Sequence, residues 1–542
     1  MNKQQTIVTS ALSLVIIILV LLVSGRVWTR LDLTENKSWT ISPVSKKLAD
    51  ELTDQVQISY FVTDKLKKLY GFPREIEDLV KEYVSFSRGK ISFVEIDPAR
   101  AGLETTMQEL GIPYQEFQLI EKDQASFSNV YSGILIEYQN KREVLPFVFR
   151  LNTLEYEITN RIRGMVREKE NSIGIVVGDV QNAFSNDNEY RNVQQFLSQA
   201  GYKVRTIVPG DEIPDTLSGL VVIGGASQLD DWALYRIDRY IQLGGKVFFA
   251  ISSVSVSTQN SFSAGKIEDS GLLKMIGAYG VDIAPQLALD ISSLSLPSTL
   301  PGFGGLRVPV PYPFFVHVGS DFASRAHPVT AAFKGADLYW PSPLFIAAPS
   351  GVEAEALFTT SEEGWLQTNN FIIDPQMKEQ FLQEQDATRG EYVLAAALSG
   401  VFPSYWRNKE KPERADSGET LPDMPRTGSP SRIVVVGNTD FLMGNVDFVF
   451  NRYKQTQPNF DFAVLAADWL CNDDDIISIR ARASSTGALD KIINDEKRIS
   501  AFSLARAINT VFVPLLVLAA GIALSLRRKK TAGQFSTPAN EG

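Results

Sequence analysis

The chain has 542 residues, 44% hydrophobic and 21% charged, a balance that marks a folded protein of two or three domains rather than a disordered one. A formal charge of −10 argues against a general nucleic-acid binder, which would carry a basic stripe. One cysteine, Cys471, excludes an internal disulfide and a CxxC redox pair, and two histidines, His317 and His327, lack metal-ligand spacing. No cofactor is therefore expected.

Taken in chain order, Ile7 to Gly25 is an uncharged run of 19 residues rich in Ile, Leu and Val. At about 1.5 Å per residue it covers most of a hydrocarbon core of about 30 Å. Its alternative reading is a cleaved signal peptide ending near Val23-Ser24-Gly25, but the run exceeds the usual apolar core of such peptides. Residues 1–29 are read as an anchor.

Residues 30–150 carry alternating signals. Ser42 followed by Pro43 predicts a capped helix over Val44–Leu52. Strands are predicted at Gln57–Val62 and Ile91–Ile96 around an amphipathic helix at Arg74–Phe86. A short helix near Leu103–Leu110 and strands near Phe117–Ile120, Gly133–Tyr138 and Glu143–Val148 follow. This order fits a thioredoxin-like layer without redox cysteines. Leu154–Val166 is a connecting helix within 151–170.

The segment 171–500 reads as a second α/β domain. Ser172–Gly178, Lys203–Val208, Leu220–Ile223 and Lys246–Ile251 are strands, separated by helices at Glu189–Ala200 and Asp231–Leu243. Their continuous apolar runs and short glycine turns predict a doubly wound parallel sheet of the flavodoxin or amidotransferase kind. Leu272–Tyr279 is a helix. Residues 292–345 are rich in Pro, Gly, Ser and aromatics and are expected to be an irregular insertion; 407–431 is expected to be a flexible loop. The sheet resumes at Arg432–Val436, then a helix at Phe462–Leu470 and a strand at Ile476–Arg480.

Ala507 to Leu526 is a second uncharged run, of 20 residues, within a predicted span at 501–530. Arg527-Arg528-Lys529-Lys530 follow it at once, which marks the cytoplasmic side and leaves 531–542 as a cytoplasmic tail. Two spans then put both termini inside and the body outside. Ala519, Ala520, Gly521 and Ala523 form a small-residue patch suited to packing against another membrane helix.

Four blocks carry a resemblance: Arg30–Ser42 (RLDLTENKSWTIS), Leu220–Phe249 (LVVIGGASQLDDWALYRIDRYIQLGGKVFF), Ser431–Phe441 (SRIVVVGNTDF) and Phe462–Arg480 (FAVLAADWLCNDDDIISIR). In these the chain resembles the Gld-type auxiliary proteins of bacterial ABC transport systems associated with gliding motility. The resemblance implies a place in the bacterial inner membrane with the body periplasmic or extracellular. It implies a multi-span permease and a separate cytoplasmic ATPase as partners, and a polymer, lipid or peptide as cargo. It supplies no catalytic residues, and gliding itself is not transferred.

In an open parallel sheet, ligands bind beyond the carboxyl ends of the strands. Here those ends present Gly178, Asp179, Gly224, Gly225, Ser252, Asn438 and Asp440. Backbone amides there are able to hold an anion or polar group, or the glycines simply make tight turns. Neither GxGxxG nor a Walker loop is present, so nucleotide binding is not supported. An amidotransferase-like enzyme would need a nucleophile after Ile251, where Ser252-Ser253-Val254 stands, with His317 or His327 brought in from the insertion. The acidic run Asn472-Asp473-Asp474-Asp475 beside Cys471 disfavours a reactive thiolate. The expectation is a non-catalytic auxiliary subunit. A solute-binding receptor is the alternative, and an enzyme the remote one.

Overall fold

A computed structural model describes residues 40–121, 124–149, 151, 153–166, 171–179, 189–258, 262–299, 307–377, 380, 387–414, 420–448, 451–454, 457–471 and 479, with isolated positions 503, 506, 510 and 521. The chain divides into two compact units, Met1–Ser484 and Ser485–Gly542. Among the described residues no helix is long and apolar enough to cross a membrane. The run Ile7–Gly25 lies outside them, as do the patch residues Ala519, Ala520 and Ala523.

The first folded layer opens with α1 (Pro43–Glu51), capped by the Ser42 hydroxyl, which accepts from the Ser45 amide at 3.1 Å. β1 (Val56–Val62) is buried at all but one position and forms the centre of the sheet. After α2 (Asp64–Leu69) comes α3 (Phe72–Phe86), which turns Ile76, Leu79, Val80 and Tyr83 onto that sheet. β2 (Ile91–Ile96), the short helices α4 (Pro98–Ala101) and α5 (Glu104–Glu109), and a hairpin of β3 (Gln115–Glu121) with β4 (Gln124–Val130) follow. β5 (Ser132–Tyr138) and β6 (Lys141–Leu145) complete a sheet ordered β2-β1-β5-β6, parallel between β1 and β2 and antiparallel elsewhere. Sequence reading finds β3 but not β4, because Gln124–Val130 is mostly polar and lacks the apolar alternation of a half-buried strand.

α6 (Leu154–Val166) leads into the body. Its strands are β7 (Ser172–Val177), β8 (Lys203–Ile207), β9 (Gly219–Ile223), β10 (Val247–Ala250) and, much later, β22 (Ser431–Val436). All five run parallel in the order β8-β7-β9-β10-β22, so the winding direction reverses between β7 and β9. Alternate residues serve two cores. Ile173, Ile175, Val177, Phe248 and Val434 face α7 (Arg191–Gln199) and the last helix, whereas Val176, Val222, Phe249 and Val435 face α8 (Asp231–Gln242) and α9 (Gly271–Tyr279). Burial on both faces explains why these strands are apolar throughout.

Between β10 and β22 the chain adds strands rather than loops. β11 (Val254–Ser257) pairs with β12 (Ser263–Lys266), β13 (Val281–Ile283) joins the edge of the large sheet, and β14 (Leu287–Leu289) pairs with β20 (Trp365–Gln367). β15 (Ser293–Thr299), β16 (Arg307–Val318) and β17 (Ala336–Tyr339) make a three-stranded sheet where an irregular insertion is predicted. Pro309, Pro311 and Pro313 misdirect that prediction. Spaced by two, they remove donors from one edge of β16 and leave the intervening amides on the other edge able to pair. Tyr312, Phe314, Phe315, Trp340 and Trp365 pack beneath it as an aromatic core.

β18 (Leu344–Ile346), β19 (Val352–Thr359) and β21 (Val393–Gly400) extend the large sheet antiparallel beyond β22. The hairpin β23 (Asn445–Phe448) and β24 (Asn451–Lys454) precedes α10 (Gln457–Cys471). The strand predicted at Ile476–Arg480 lies outside the described residues except for Ile479, which is helical. The described part of 407–431 holds neither helix nor strand before Ser431 and touches the body, with Arg414 paired to Asp230 at 2.9 Å and the Pro422 carbonyl accepting from the Tyr235 hydroxyl at 2.9 Å.

Candidate functional site at the carboxyl edge of the sheet

β7, β9, β10 and β22 end in register, with Val177 opposite Ile223, Ile223 opposite Ala250 and Ala250 opposite Val436. The ladder continues one step further through Gly178 N–H to the Ile223 carbonyl (2.9 Å), Gly224 N–H to Ala250 (2.9 Å) and Ile251 N–H to Val436 (3.0 Å). All seven residues predicted from sequence therefore stand along one edge. What they do there differs from residue to residue.

Gly178 and Gly225 meet at the point where the winding reverses. A Cβ on Gly178 would lie 2.3 Å from the Gly225 Cα, so the two backbones approach too closely for any side chain at 178. Gly224 and Gly225 have φ of 65° and 87°, a turn that only glycine adopts without strain. Asp179 is exposed beside them.

Ser252 and Thr439 exchange hydrogen bonds: the Ser252 amide donates to Thr439 Oγ1 at 3.0 Å, and the Thr439 amide donates to Ser252 Oγ at 2.9 Å. The buried Asn438 accepts from the Tyr339 amide (3.3 Å) and the Phe441 amide (2.9 Å) and donates to the Tyr339 carbonyl. It fastens β17 to the turn after β22.

Asp440 opens a short 3-10 turn at Asp440–Leu442. The residue retains some surface, but its carboxyl is desolvated, and that burial together with the Glu189 charge raises it to about 7. The same charges, added to burial, raise the nearby Tyr190 hydroxyl. Thr439, Glu189 and Tyr190 carry no sequence signal that would have marked them.

The residues of the amidotransferase-like alternative each have contacts of their own. The Ser253 hydroxyl donates to the Ala284 carbonyl and its amide to Ser342 Oγ at 3.2 Å. His317 sits opposite Asp337 across β16 and β17, with Nδ1 to Oδ1 at 2.7 Å, and this contact raises its pKa. His327 is buried, and its Nδ1 accepts from the Val329 amide at 3.2 Å. Each candidate nucleophile or base thus has a local partner of its own. Among the described residues no group of three or more His, Cys, Asp or Glu side chains is placed to hold a metal.

A cavity of about 830 Å³ opens on the opposite, amino edge of the sheet, lined by Asn171, Asp215, Ser218, Tyr240, Lys246 and Cys471 among others. Sequence reasoning looks to the carboxyl edge and misses it. Burial pushes the Cys471 thiol up to about 12, despite nearby Lys246, so it is protonated at neutral pH.

Residues 170–466 match the family model described as ABC-type uncharacterized transport system, from the start of β7 to within α10. Residues 35–137 match a model described as a domain of unknown function (DUF7088). An uncharacterized protein of Borreliella burgdorferi is 23% identical over 545 residues, covering 98% of this chain and 99% of its own length. Among solved structures, the mmIFT52 N-terminal domain is 11% identical with a TM-score of 0.32, covering 56% of this chain and 98% of its own. A putative ThuA-like protein from Parabacteroides merdae is 11% identical with a TM-score of 0.26, covering 56% and 90%. Neither likeness is close enough to bear on function.

Proposed function

The chain belongs to the ABC-type uncharacterized transport system family of auxiliary proteins, and from that premise we propose that it is a non-catalytic, membrane-anchored subunit whose body stands outside the bacterial inner membrane. It assembles with a multi-span permease and a separate cytoplasmic ATPase, in the manner of the Gld-type proteins its sequence resembles. The observation that carries this reading is the family match over 170–466, the whole parallel core. The non-catalytic part is supported by the engaged state of Ser252, Ser253, His317 and His327.

The anchoring part is tested by topology. Reporters fused to each terminus should both read cytoplasmic, and replacing Arg527, Arg528, Lys529 and Lys530 with neutral residues should weaken the inside preference of the C-terminus. A mature N-terminus at Arg26, or a C-terminus outside, would contradict two spans. The amino-edge cavity favours a second reading, a solute receptor. Thermal-shift screening of polar solutes against the wild type and Lys246→Ala separates the two, since only a receptor responds and loses its response in the variant.

A further inference from the structure

Two neighbouring residues of α6 hold the two ends of the extramembrane body. Glu155 is buried and accepts from the Ser42 amide at 2.7 Å and from the Ser45 hydroxyl at 2.8 Å, fixing the first turn of α1. Thr159, one turn on, and the Tyr83 hydroxyl of α3 close this polar knot at 2.6 Å. Tyr156 faces the other way and donates to Asp468 Oδ2 of α10 at 2.7 Å, while Tyr202 donates to Oδ1 at 2.6 Å. Asp468 is fully buried, and both its oxygens have a hydroxyl donor. The ring of Tyr156 then packs in one apolar cluster with Val44, near the start of the body, and Ile479, near its end.

The Tyr156–Asp468 contact joins residues 312 positions apart. We infer that α6 is a clasp that ties α1, near the start of the body, to α10 and Ile479, near its end, so that a load arriving through either membrane stem is passed to α6. The inference rests on the two-span reading for the identity of the stems, but not for the clasp. An acid bound by two hydroxyls, next to an acid bound by an amide and a hydroxyl, gives the clasp direction that apolar packing alone lacks.

The test uses the full chain in isolated membranes, with Cys471→Ser to remove the native thiol. Val44→Cys with Ile479→Cys is treated with a short bismaleimide, and Glu137→Cys with Arg142→Cys, partners across β5 and β6, is the positive control. The 44–479 pair should close into a looped species to an extent similar to the control, and adding Glu155→Ala or Tyr156→Ala should lower that yield several-fold. A pair that stays open while the control closes overturns the inference, and so does a yield indifferent to both alanines. Should the double cysteine fail to accumulate, benzoylphenylalanine at half-buried position 44 alone should form adducts with the peptide containing Ile479; adducts confined to other segments overturn it. A closed pair with termini outside would leave the clasp standing and sink the two-span reading, and an open pair with both termini inside would do the reverse.

Discussion

Ser252 and Thr439 each use a side-chain oxygen to satisfy the other's amide, which ties the turn after β10 to the turn after β22. Ser252→Ala leaves the Thr439 amide without its acceptor, a loss of about 1–3 kcal/mol when the group stays dry. The variant should unfold at lower denaturant while its transport-linked function persists; abolished function in a folded, assembled variant would reopen the enzymatic reading. Asp440 gives a pH test. Its folded-state value of about 7 lies above the ordinary 3.8, so its contribution favours folding most below the ordinary value and is lost as pH rises through 7. Between pH 5.5 and pH 8 this amounts to on the order of 1–3 kcal/mol. Asp440→Asn should flatten that part of the stability profile and raise the melting temperature at pH 8; equal pH slopes for both proteins would show that the carboxyl is solvated after all.

At the scale of elements, α8 is held by a strap that begins at Ser404 and Trp406 and runs on into 407–431, the stretch that sequence alone marks as a flexible loop. Asp238 on α8 accepts from Tyr279 of α9 at 2.7 Å, from Ser404 at 2.7 Å and from the Trp406 amide at 3.3 Å. Trp406 packs edge-on against Tyr235, whose hydroxyl donates to the Pro422 carbonyl at 2.9 Å. Trp406→Ala removes the largest apolar anchor of the strap, at a cost of about 3–5 kcal/mol. Limited proteolysis should then cut between Arg407 and Ser431 faster than in the wild type. Equal cutting rates would mean that the strap is not held by its packing.

The same elements show what sequence can and cannot reveal. Leu220–Ile223 and Lys246–Ile251 are legible because a strand buried on both faces has no polar phase. The observed strands, Gly219–Ile223 and Val247–Ala250, fall within a residue or two of that reading. β21 is not legible. Val393–Gly400 is dominated by alanine, a helix former, and becomes a strand only because β19 and β22 lie on either side of it. The candidate edge is legible as a list of residues, since turn glycines follow apolar runs. That Gly178 closes on Gly225 is not, because it depends on how two strands approach. The grip of Tyr156 on Asp468 has no local signature either.

At the scale of the whole molecule, the body is fastened internally, from α1 through α6 to α10. The small-residue patch of the proposed second span supplies one lever. Helices in lipid gain no hydrophobic drive from one another, so close approach depends on small residues such as Ala519, Ala520, Gly521 and Ala523. Gly521→Leu keeps the segment apolar, so insertion should be normal while permease recovery falls; unchanged recovery would mean that the patch faces lipid. The central claim is tested most directly by purifying the tagged full chain from its native membranes in mild detergent and identifying what comes with it. A multi-span permease and an ATPase are expected in fixed proportion to the chain. Recovery of the chain alone, from membranes in which both those proteins are present and intact, would contradict it.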